Sequence, residues 1–117
     1  MLDNRHPLVV NGVAVVSAPA EIDIINAEQL RTVLREAARR GHATVVDMTD
    51  TRFCDSEGFS VLVGAHKWAL TEGGGRRLVI PGGSPVLRIF RVLGVGRFIP
   101  RFGSLEQALS PEPAAAD

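Results

Sequence analysis

Disulfides, membrane spans and excess charge are what this 117-residue chain does without. A lone cysteine, Cys54, excludes an internal disulfide and fits a reducing cytosol. No apolar run approaches the roughly 20 residues of a membrane-spanning helix. The start Met1-Leu2-Asp3-Asn4 carries no signal-peptide pattern. The expectation is a soluble, cytoplasmic protein with no membrane partner. Aromatic residues make up only 5% and the formal net charge is zero, so the composition is not that of a disordered tail or of a dedicated nucleic-acid binder. Acidic residues are missing between Glu72 and Glu106, where Arg76, Arg77, Arg88, Arg91, Arg97 and Arg101 fall. Two readings stay open for them: a basic surface for an acidic partner, or six solvated arginines on separate elements.

What is present reads as one domain over residues 1–117, with a core over about 8–109 and a frayed, flexible Pro/Ala-rich tail over 110–117. Two β-branched runs, Leu8-Val9-Val10 and Val13-Ala14-Val15-Val16, flank Asn11-Gly12, the spacing of a hairpin with a type I′ turn. Asn26 is a plausible N-cap, with Gln29 placed to reach back to it. Leu30, Val33, Leu34 and Ala37 then follow helical spacing up to Gly41. The run 43–48 is almost wholly apolar, as a central strand covered on both faces would be.

A second helix is predicted from near Ser56 to about Thr71, with Phe59, Leu62, Val63, Ala69 and Leu70 on its inner side, ending at Gly73-Gly74-Gly75. A strand over 77–80 follows. Ser84-Pro85 then opens a third helix with the stripe Val86, Ile89, Phe90, Leu93 and a left-handed stop at Gly94. A short strand near 97–101 and a last helix opened by the capping box Ser104-x-x-Gln107 complete the chain. Helices alternating with strands after a hairpin predict an α/β layer protein with a mixed sheet of about four to five strands, its strand-to-helix turns gathered at one edge.

One of those turns is Asp55-Ser56-Glu57-Gly58. In open α/β sheets function tends to sit at such turns, and a serine beside the free N–H groups of a helix start can hold a phosphate. The alternative is an ordinary N-cap, for which Asp and Ser are favoured in any case.

Several stretches in this order resemble the STAS domain, and in particular the bacterial anti-sigma factor antagonists. They are Glu21-Ile22-Asp23-Ile24, Val45-Val46-Asp47-Met48, Phe53-Cys54-Asp55-Ser56-Glu57-Gly58, Gly75-Arg76-Arg77-Leu78, Leu93-Gly94-Val95 and Ser104-Leu105-Glu106-Gln107-Ala108-Leu109. The resemblance implies a binding protein whose Ser56 is phosphorylated by a partner that is both serine kinase and anti-sigma factor. The unphosphorylated form binds that partner and frees the sigma factor; the phosphorylated form lets go. It further implies a contact surface of Asp23, Asp55, Ser56, Glu57 and Gly58, and no cofactor. A homodimer stays open.

Glu57 departs from the family, which often has Ser or Thr there. A carboxylate beside Ser56 either hinders a kinase, mimics the phosphorylated state, or is simply a helix-start acid favoured by the dipole. Cys54 also stands where a small apolar residue is expected, and it reads as a small buried hydrophobe. The alternative function is a STAS module docked on a transporter ATPase or in a stress-sensing assembly, with Ser56 unmodified.

An enzyme has little support. No Gly-x-Ser-x-Gly elbow surrounds Ser56 or Ser60, and His6, His42 and His66 are scattered without metal-ligand spacing. Gly73-Gly74-Gly75-Arg76 lacks the Lys-Ser/Thr of a phosphate-binding loop and ends a helix instead of starting one.

Overall fold

The computed structural model describes residues 8–40, 43–71 and 74–110. The expected stop at Gly41, the glycine at 73, His6, His42 and the tail beyond Ser110 lie outside the described residues. The chain opens with strands β1 (Leu8–Val10) and β2 (Val13–Ser17), paired antiparallel with Val10 opposite Val13. Asn11 at φ 52° and Gly12 at φ 78° make the left-handed turn that the Asn-Gly pair predicts. A two-residue strand β3 (Glu21–Ile22), helix α1 (Ala27–Arg39) and strand β4 (Ala43–Asp47) follow. Next come β5 (Phe53–Cys54), α2 (Ser56–Thr71), β6 (Arg76–Val79), α3 (Leu87–Val92), a 3₁₀ turn over Val95–Arg97, β7 (Arg101–Phe102) and α4 (Leu105–Ala108).

The main sheet runs β1-β2-β4-β6-β7, parallel except for the first pair, while β3 and β5 form a separate parallel pair. Strand β4 is central, as its apolar run predicts. Successive side chains alternate between faces, so Val46 joins Leu30, Leu34, Phe59 and Leu62 under the α1–α2 layer. Val45 joins Val79, Phe102 and Ala108 beneath α4 on the other face. Ser104 Oγ accepts the Gln107 N–H at 3.2 Å, the expected cap of α4, and Gly94 takes the left-handed φ of 68°.

Several expectations are corrected. The arginines are not six solvated side chains: Arg76 and Arg101 are buried and Arg77 is half-buried. Arg76 sits opposite Thr44 in the ladder and donates to Thr44 Oγ1 at 3.0 Å and to the Leu34 carbonyl at 2.7 Å, tying the sheet to α1. Burial pulls its guanidinium down to about 10. Arg77 donates to the Ala108 carbonyl at 2.6 Å, a cation at the C-terminus of α4, and Arg101 Nε donates to the Ile80 carbonyl at 2.8 Å. The segment 95–97 winds as a 3₁₀ turn in place of the strand expected from 97, and pairing starts only at Arg101. On α2, Leu70 is exposed, whereas Val61, Ala65 and His66 are buried.

His66 is a buried polar anchor. Its Nδ1 accepts the Arg76 backbone N–H at 2.9 Å and the ring also hydrogen-bonds the Phe98 backbone. Burial first, and then the Arg76 charge, holds its pKa below the ordinary 6.5, against a smaller raising effect of the Phe98 bond. The unfolded chain therefore takes up this proton first. The stability from neutral His66 is complete above about pH 6.5 and is lost as pH falls below it toward the folded-state value. Urea unfolding between about pH 7.5 and 5.5 should show a falling midpoint in the parent and a flatter profile in His66→Gln. An equally steep decline in the variant would contradict this role for His66.

Candidate functional site

Pairing of β3 with β5 sets Ile22 opposite Cys54, and the Asp55 N–H donates onward to the Ile22 carbonyl at 3.3 Å. Asp23 and Asp55 therefore emerge side by side where the two strands run out, although 32 positions separate them in the sequence. Asp23 Oδ1 accepts the N–H groups of Ile25 at 2.9 Å and Asn26 at 3.2 Å, and Asn26 Oδ1 accepts the Asp23 N–H at 3.0 Å. This reciprocal capping box lies one turn before the one expected at Asn26 and Gln29, because residues 24–26 are already wound and Ala27 N–H bonds back to the Asp23 carbonyl. Asp23 is thus held in one orientation by backbone donors.

At α2 the cap is Asp55. Its carboxylate accepts the Gly58 N–H at 2.8 Å and its carbonyl the Phe59 N–H at 3.1 Å. Ser56 is the first helical residue, and it and Glu57 are exposed. The ordinary-cap explanation therefore passes from Ser56 to its neighbour. Gly58 is buried: a Cβ there would lie 2.8 Å from both Cys54 Sγ and Ile22 Cγ2. Its place in the structure is beneath the rim formed by Asp23, Asp55, Ser56 and Glu57, as packing and not as contact surface. Cys54 is buried, and burial, with a smaller push from the Asp55 charge, raises its thiol to about 12.

Two other hydroxyl residues flank Ser56 in the sequence: Thr51 is buried and donates its hydroxyl to the Pro19 carbonyl at 2.9 Å. Ser60 is exposed, one turn beyond Ser56.

Sequence reasoning missed the apolar side of this edge. Ile24, Ile25 and Phe53 are 71%, 83% and 49% exposed beside the carboxylates. The available signal was that Ile24 and Ile25 precede the helical repeat of Ala27, Leu30, Leu34 and Ala37 and have no place in it. A cleft of about 430 Å³, lined by Ser56, Ser60 and Lys67 of α2 and by Leu93, Val95 and Phe98, also went unforeseen, because it forms between elements.

The family model of the STAS domain matches residues 7–108. The chain belongs to the STAS domain family. Comparison with curated proteins returns no match. Among solved STAS structures, an anti-sigma factor antagonist from Mycobacterium paratuberculosis superposes with a TM-score of 0.78 at 26% identity, over 88% of this chain and 87% of that one. The anti-sigma factor antagonist SpoIIAA in its unphosphorylated form gives 0.67 at 23% identity, over 93% and 91% of the two chains. The Bacillus cell fate determinant SpoIIAA in its phosphorylated form gives 0.60 at 23% identity, over 93% and 95%. The SpoIIAA likeness establishes the STAS fold: a mixed five-stranded sheet with four helices. No helix among the described residues is long and apolar enough to cross a membrane.

Proposed function

We propose that this STAS domain is an anti-sigma factor antagonist, a binding protein and not an enzyme, that acts in the bacterial cytoplasm. Unphosphorylated, it binds an anti-sigma factor with serine-kinase activity through the rim of Asp23, Asp55, Ser56 and Glu57, and so frees a sigma factor. Phosphorylation of Ser56 ends the contact. The observation that carries this reading is the division of labour at α2: Asp55 does the capping, which leaves Ser56 exposed at the first helical position with no capping duty. The likeness to an antagonist at 26% identity supports the same role.

The test is Ser56→Ala against the parent with the kinase-type partner and radiolabelled ATP. Ser56→Ala should incorporate no phosphate and stay bound whether or not ATP is present. Label entering Ser56→Ala at the parent rate would move the site to Ser60, since Thr51 is buried.

Glu57 favours a second reading, because it already sets a carboxylate beside Ser56. In that case the domain docks on a transporter ATPase or within a stress-sensing assembly, and Ser56 stays unmodified.

A further inference from the structure

The cleft beside Ser56 runs well beyond the acidic rim. Ser56 and Lys67, both in its lining, are eleven residues apart on α2, or about 16 Å at the helical rise. Phe59, Val63, Val95 and Phe98 supply apolar walls. At the far end, Lys67 Nζ lies 5.0 Å and Arg97 Cζ 5.8 Å from the centroid of the exposed Phe98 ring. Neither cation has an ion-pair partner among the described residues. No acidic residue occurs between Glu72 and Glu106, so the segment facing α2 (Leu93, Val95 and Phe98, with Arg97 beside them) carries no carboxylate.

Gly64 also lines the cleft, and a Cβ there would meet nothing within 4 Å. A glycine inside a helix is destabilising relative to alanine, and no contact within the domain calls for one here. The space above it is open to something outside the domain.

We infer that this cleft is a second docking subsite for the protein partner, and that it takes an acidic–apolar segment. An aliphatic or aromatic side chain of the partner enters over Gly64, and a neighbouring carboxylate meets Lys67 and Arg97. The inference rests on the partner-binding reading of the Ser56 rim and extends it. The face is then dipolar: basic groups of the partner meet Asp23, Asp55 and Glu57, and acidic ones meet Lys67 and Arg97 some 16 Å away along α2. The concave shape favours a peptide segment over a lipid surface, because anchor side chains reach a cleft floor and a flat bilayer does not.

The experiment selects phage-displayed dodecapeptides on the parent protein and measures the enriched peptides by fluorescence anisotropy. Sequences that join Asp or Glu to Leu, Ile, Met or Phe should be enriched. Lys67→Glu and Gly64→Leu should each weaken them by about tenfold or more, while Arg39→Gln, on α1 and outside the cleft lining, binds as the parent does. Gly64→Ala should raise the melting temperature by roughly 4 °C through helix propensity alone. If Gly64→Leu does not fold, Lys67→Glu decides. No enrichment, enrichment of basic peptides, or binding indifferent to Lys67→Glu would overturn the inference. So would co-sedimentation with anionic phospholipid vesicles, lost in Lys67→Glu, without any selected peptide. The selection needs neither kinase nor phosphate, so a failed Ser56 switch and a failed cleft are read out separately.

Discussion

Ser56→Asp should fold as the parent does and bind the kinase-type partner about a hundredfold more weakly or worse. The two halves of that expectation come from opposite electrostatic effects at one position. Within the domain, an added negative charge at the first residue of α2 faces the positive end of the helix dipole and is favoured by about 0.3–1 kcal/mol. In a closed interface the same charge must leave water beside Asp55, Glu57 and Asp23, which the β3–β5 register brings together. Desolvating an unpaired charge costs several kcal/mol, and about 2.8 kcal/mol is already a hundredfold in affinity. A phosphate carries about −1.5 to −2 charges, so it should act in the same direction and more strongly. Calorimetry and thermal melting on the same preparation separate the halves. Parent-like affinity in Ser56→Asp would contradict a charge switch, and a collapsed melt would show that the position is structural.

The largest effect on stability is expected at Gly58. Gly58→Val should destabilise by about 3 kcal/mol, at the upper end of overpacking costs, because even the first added carbon would press on Cys54 Sγ and Ile22 Cγ2 at 2.8 Å. Those neighbours cannot swing away: Ile22 lies in β3, Cys54 in β5, and both are buried. The close approach lets α2 start directly over the β3–β5 pair, from whose ends Asp23 and Asp55 emerge side by side. The urea midpoint of Gly58→Val should fall with little change in slope. An unchanged midpoint would mean that the two small strands yield freely. Gly64, six residues further on and in open space, is the internal control on the same helix.

The contrast between these two glycines marks what could be read in the sequence. Features governed by local rules were legible: the Asn11-Gly12 turn, the apolar run of β4, the limits of α2, the left-handed Gly94 and the Ser104–Gln107 cap. Each depends on a few neighbouring residues. Features that depend on what the fold brings from elsewhere were not. The burial of Arg76 needs Thr44 across the sheet and the carbonyl of Leu34, neither of which is near it in sequence. The capping box of α1 moved to Asp23 because the preceding turn is already wound. At the site, Ser56 was legible as a serine at a strand-to-helix turn, and its pairing with Asp23 came from family resemblance. The cleft with Lys67 and Phe98 arises from packing of α2 against the 3₁₀ turn, which the local pattern around 95–101 did not foretell.

If phosphorylation of Ser56 governs partner choice, a paired capture will show it. The parent chain, and the same chain carrying phosphoserine incorporated at position 56, serve as baits in native lysate with ADP, and the bound proteins are identified by mass spectrometry. A kinase-type anti-sigma factor held by the unmodified bait and absent from the phosphorylated one is the predicted result. Retention of that factor by both baits, or recovery of a transporter ATPase or a sensor assembly by both, would contradict the switch and leave Ser56 as an ordinary surface residue of a docking module.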